Sequence, residues 1–132
     1  MSYSITVHLP YEQIPYPTNP DEQDAWYEHY LKHVIFERPL GTDSMIYNYW
    51  HLPALSIDLK LIAQIYDNGL EVKEPDALML LREEIKTLSN YWHENLLIAV
   101  ASESKVDLLN RLFFLHEAIE IALNTNGKLN IS

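Results

Sequence analysis

Tyr3, Ile5, Val7 and Leu9 alternate with Ser4, Thr6 and His8, the period-two pattern of a strand with one buried face. Residues 10–20, PYEQIPYPTNP, hold four of the seven prolines, which favours extended, irregular chain. Asn19-Pro20-Asp21-Glu22 then opens a helix: Asn caps, Pro suits the first position, and the acids complement the dipole. This helix is expected over 20–37, ending before Pro39, with a turn about Gly41. Met45 to Leu52, MIYNYWHL, fits a second strand or a packed loop.

A second helix is expected over 56–68, stopped at Asp67-Asn68-Gly69. The clearest pattern lies in a third, over 75–95, where Leu78, Leu81, Ile85, Leu88 and Trp92 recur at three-four spacing. LLIAVA, residues 96–101, fits either a continuation or a short strand. A fourth helix, 104–125, opens on Ser104 to Asp107, which resembles a capping box. Its expected stripe is Leu109, Leu112, Ile119 and Leu123, and Asn126-Gly127 ends it. The tail KLNIS suits an edge strand. The reading is one mainly α domain over 1–132: a bundle of about four helices, with one to three short peripheral β-strands.

Charge changes this picture. The net charge is −10, and residues 1–31 carry Glu12, Asp21, Glu22, Asp24 and Glu28 with no Lys or Arg. Nucleic acid is excluded as a partner, since phosphate contacts need clustered cations, and an anionic membrane is disfavoured likewise. The longest apolar run is too short to span a bilayer. The start MSYSITVHLPYEQ lacks the regions of a signal peptide, so a cytoplasmic location is expected. The absence of cysteine removes disulfides and thiolate chemistry.

Reaction centres are scarce. No G-x-S-x-G, P-loop or dinucleotide fingerprint occurs. Glu83-Glu84 and Glu117-Glu120 read as solvated helix faces. On a helical wheel, Tyr27, Tyr30, Leu31, Val34 and Ile35 form the buried side of the first helix. His29 and His33 fall opposite, with Glu22, Trp26 and Glu37. Two imidazoles at i, i+4 can chelate zinc, but a site also needs a third ligand and a shielded cavity. His116 falls inside an apolar stripe, where a hydrogen-bonded core histidine is expected, and His93 flanks the third helix. His29, His33, His93 and His116 are therefore the alternative set for a metal-binding bundle or metal-dependent enzyme.

Aromatic side chains lie where the acids do. Tyr11, Tyr16, Asp21, Glu22, Asp24, Trp26 and Glu28 fall within eighteen residues, with His29 and His33 beside them. Tyrosine and tryptophan anchor interfaces, and carboxylates steer basic partners. This surface is expected to bind a basic protein, with Trp26 and Tyr16 as anchors. A structural subunit of a larger assembly, or a homo-oligomer, would use the tyrosines equally well.

A small, acidic, cysteine-free chain with such a surface resembles the immunity proteins that bacteria pair with secreted toxins. The run IDLKLIAQIYDNGLEVKEPDALMLLREEIKTLSNYW, a helix, a Tyr-Asp…Gly turn and a Leu-rich helix, is similar to a segment of small proteins from toxin-immunity neighbourhoods. The resemblance implies a stoichiometric inhibitor that blocks a cationic toxin site and needs neither catalysis nor a cofactor. It assigns no functional residue.

Overall fold

A computed structural model describes residues 2–10, 16–96 and 102–132. The chain runs through β1 (Ser2–His8), α1 (Pro20–Lys32), β2 (Val34–Thr42) and a helical stretch made of α2 (Asp43–Met45), a π-helical segment (Ile46–His51) and α3 (Leu52–Ser56). A 3-10 turn (Ile62–Gln64), the distorted α4 (Ile65–Asn68), β3 (Leu70–Val72), α5 (Pro75–Tyr91), a π-helical end (Trp92–Leu96), α6 (Ser102–Thr125) and β4 (Lys128–Ile131) follow. Among the described residues the strands make one four-stranded antiparallel sheet of order β2-β1-β4-β3. The expected bundle with peripheral strands is thus overturned, and the fold is mixed α/β.

Three sequence features hid the sheet. The first helix stops at Lys32, not residue 37, because His33 closes it through a bond from its N–H to Tyr30 O and Val34 starts pairing with His8. β-Branched residues suit that strand. Pro39 and Gly41 lie inside β2, where they had suggested a turn. β2 is an edge strand, which tolerates a residue without an N–H. β4 was expected at an edge, yet it lies between β1 and β3, with Leu129 opposite both Val7 and Val72, and Ile131 opposite both Ile5 and Leu70.

MIYNYWHL is helical, neither strand nor loop. The helix expected over 56–68 is broken, because Asp58 and Asp67 take positive φ of 59° and 74°. Asn19 caps α1 as expected, its Oδ1 accepting from Asp21 N at 3.1 Å. The helices over 75–95 and 104–125 hold their places, although α6 begins at Ser102, ahead of the supposed capping box. Of residues 96–101, which fit either helix or strand, Leu96 ends the π-helical segment, and 97–101 lie outside the described residues.

The core fills the space between one sheet face and the helices. Ile5, Val7, Leu129 and Ile131 share one buried cluster with Leu108, Leu115, Ile119 and Ala122 of α6 and with Leu78, Leu81, Ile85 and Leu88 of α5. Two buried tryptophans, Trp50 and Trp92, meet edge to face at 5.2 Å, and Trp92 Nε1 donates to Tyr49 O at 2.6 Å. The buried row of α6 is Leu108, Leu112, Leu115, Ile119 and Ala122, one step round from the expected stripe. His116 is consequently exposed, which corrects its reading as a core histidine.

Glu84 needs a second correction. Its carboxylate is buried and accepts from the backbone N–H groups of Leu61 and Ile62, each at 3.0 Å. It caps the start of the 3-10 turn from another helix. A carboxylate is tolerated there because N–H donors replace the water it loses.

Candidate functional site

The sheet's second face positions α1. Ser4, Thr6 and His8 turn away from the helical core, and Thr6 Oγ1 lies 3.3 Å from His8 Nε2. The His8 ring packs against Tyr30 of α1 at 5.3 Å, and Leu9 N donates to His33 O at 2.7 Å. A ladder of rings continues outward. Tyr30 stacks on Trp26 at 5.7 Å with planes 3° apart, and Tyr16 meets Trp26 edge-on at 4.9 Å. These contacts fix which side of α1 faces the body.

That side agrees with the expected one at Tyr30 and Val34, half-buried, and at Glu22 and Glu37, exposed, and departs from it elsewhere. Trp26, His29 and His33, placed outward by the wheel, are half-buried, whereas Tyr27, Leu31 and Ile35, placed inward, are exposed. The wheel carries bulky residues on both sides, so periodicity alone cannot choose between them. α1 buries none of its residues fully. Tyr27 and Leu31, one turn apart, are 55 % and 48 % exposed, and Tyr16 is 60 % exposed. Asp21, Glu22, Asp24 and Glu28 are all exposed along the same helix, and Lys32 is its only Lys or Arg. Tyr11, the remaining member of the expected face, lies outside the described residues.

His8 is the buried titratable group beneath this helix, 4 % exposed. Its Nδ1 has no hydrogen-bond partner among the described residues. Burial first, and then the charge of Lys128, push its pKa down, against a weaker upward pull from Glu71; His33 adds to the lowering. A neutral ring fits that setting, because desolvation penalises the charged form.

Of the histidines of the metal alternative, His29 and His33 lie together, while His93 is on the π-helical end after α5 and His116 on α6. His29 and His33 rings are 4.8 Å apart, and His33 Nδ1 donates to His29 O at 2.8 Å. His93 Nδ1 likewise donates to Ser89 O within its own helix. Among the described residues no group of three or more His, Asp or Glu side chains is arranged to hold a metal ion. A separate ring cluster, Tyr47, His51 and Tyr66, has centroids 5.1–5.8 Å apart. There His51 Nδ1 donates to Ala63 O at 3.1 Å. Partial burial and the carboxylates Asp67 and Asp43 hold the Tyr66 phenol above its ordinary pKa, so it stays protonated.

No described helix is long and apolar enough to cross a membrane. No family model, no curated protein and no solved structure matches the chain.

Proposed function

We propose that the chain is a protein-binding module that captures a basic partner through α1, in the manner of an immunity-type inhibitor acting one to one. The observation that carries this reading is the outward pair Tyr27 and Leu31, set among Asp21, Glu22, Asp24 and Glu28 on a helix with no fully buried residue. Among the described residues α1 is held along one side, by its ring contacts and by Gln23 Nε2 donating to Pro17 O. An apolar pair kept in water there is best explained by a surface that covers it. The carboxylates around it repel acidic proteins, speed encounter with basic ones and set the register of docking.

The exposure pattern supports a different division of roles within the expected face. Tyr27, Leu31 and Tyr16 are the anchors that a partner buries. Trp26 supports them from beneath by stacking on Tyr30 at 5.7 Å. Asp21, Glu22, Asp24 and Glu28 supply steering and ion pairs at the rim. Binding alone accomplishes this function, by occluding a cationic site on the partner, and no bond is made or broken.

The test is capture of a partner from source-cell lysate at low and high salt, by wild type and by a Tyr27→Ser, Leu31→Ser double variant. A basic protein that wild type retains at low salt, releases at high salt, and that the variant holds about tenfold or more weakly, is the expected result. Equal retention by the variant would overturn the assignment of this face.

A further inference from the structure

We infer that the groove between α5 and α6 binds a small anionic amphiphile, an aliphatic or aromatic body ending in a single carboxylate. The body lies on Leu109, Leu112 and Phe113, and the head lies between Lys86 and His116. This groove is on the opposite side of the sheet from α1, and nothing in the proposed function uses it. Its volume is about 490 Å³, within the range of small-molecule sites.

The construction follows from two facing helix surfaces. Ile85 on α5 and Leu112 on α6 are 3 % and 8 % exposed and make the floor. Leu109 is half-buried beside them, and Phe113, 58 % exposed, stands as a wall. The α6 lining runs from Leu109 to His116, about two helical turns or about 10 Å. That length suits a medium acyl chain or a two-ring aromatic.

The rim decides the charge. Arg82, Glu83, Lys86 and His116 surround the apolar floor. Arg82 is already held, its guanidinium 3.0 Å from the carboxylate of Glu120. Lys86 and His116 are exposed and make no hydrogen bond or ion pair with other described residues. In a chain of net charge −10, Lys86 and His116 set a locally cationic edge beside the apolar floor. A carboxylate there gains the ammonium and the ring N–H that a neutral or protonated imidazole always offers. Glu83 on the same rim opposes a doubly charged head, which favours carboxylate over phosphate. The acidity of the whole chain opposes an anionic bilayer surface, so the ligand is a free molecule.

Titration of the isotope-labelled full chain with decanoate, followed by amide NMR, tests this inference. Decanol and decyltrimethylammonium serve as neutral and cationic controls. Amides of Lys86, Leu109, Phe113 and His116 are expected to shift together and saturate with decanoate, with both controls binding several-fold more weakly. Lys86→Gln is expected to weaken decanoate by about fivefold and to leave decanol unchanged. Phe113→Ala is expected to weaken both. These side chains are exposed, so folding is retained, and an unchanged far-UV spectrum verifies it. Absence of saturable shifts, shifts centred elsewhere, or equal affinity for all three probes would overturn the inference. Because α1 takes no part, each of these outcomes is separable from loss of partner capture.

Discussion

Glu84 on α5 accepts the backbone N–H of Ile62, 22 residues earlier in the chain, at 3.0 Å with both groups buried. The same carboxylate takes the N–H of Leu61, so one side chain satisfies two donors at the start of a helical turn that has no cap of its own. Glu84→Ala leaves those donors buried and unmet, and a loss of about 2–3 kcal/mol is expected. Glu84→Gln keeps an acceptor oxygen and is expected to lose about half as much. Urea unfolding of the three proteins at neutral pH checks the order. Equal stability would mean that water reaches the Leu61 and Ile62 amides.

His8 sets a pH dependence whose sign is fixed by its environment. Its folded pKa is lowered from the ordinary 6.5, through burial first and Lys128 second. The unfolded chain therefore takes up the proton first as pH falls. Stability is full above about pH 6.5 and declines below it, until the folded-state pKa is reached. The groups facing the ring are Tyr30 and His33 from the α1 side, and Lys128 and Glu71 from the sheet. His8→Phe removes this contribution, and its stability is expected to change less between pH 7.5 and pH 5 than that of wild type. Urea midpoints at the two values measure it, and an unchanged slope in His8→Phe would place the titration elsewhere.

Local grammar was legible in the sequence where one strong signal stood alone. Asn19-Pro20 opens α1, the 78-81-85-88-92 row faces the core, and Asn126-Gly127 closes α6. Where two signals competed, tertiary context decided. In α6, leucines at 108 and 109 allow two stripes one step apart, and the sheet selected the former, which put His116 outside. In α1, Trp26 and Tyr30 lie on one side and Tyr27 and Leu31 on the other. Only the position of His8 on the sheet's second face says which side docks. The sheet itself was hidden, because β3 has three residues and β2 carries proline and glycine. Glu84 was invisible for another reason, since its two partners lie in a different element and no spacing rule connects them.

The two sides of α1 are expected to respond differently to substitution. Trp26→Ala removes a ring stacked on Tyr30 and touched by Tyr16, which loosens the docking of the helix and lowers stability by about 1–2 kcal/mol. Tyr27→Ser removes an exposed ring, 55 % accessible, whose ring contact with Tyr30 is a distant 6.3 Å. A change within about 0.5 kcal/mol is expected. Thermal unfolding of the pair checks this contrast. Reversal of the order would return Tyr27 to the buried side and remove it as a partner anchor.

Gly69 joins α4 to β3 at a point where no side chain fits. Its φ is +71° with ψ 179°, a conformation that costs any L-residue with a Cβ. A Cβ built there would lie 2.7 Å from the carbonyl oxygen of Ile131. Backbone on that side cannot yield without cost, because Ile131 is paired with both Ile5 and Leu70. Gly69→Ala therefore adds backbone strain to a clash against an inner strand of the sheet. A loss of about 3 kcal/mol is expected. Asn68→Ala, one residue earlier at an exposed position, is expected to stay within about 0.5 kcal/mol. Hydrogen exchange in Gly69→Ala should quicken first at Leu70, Val72 and Leu129, where β3 pairs with β4. If the two variants match wild type in both urea midpoint and exchange, the turn has another conformation, and the proposed anchoring of β3 by this glycine is wrong.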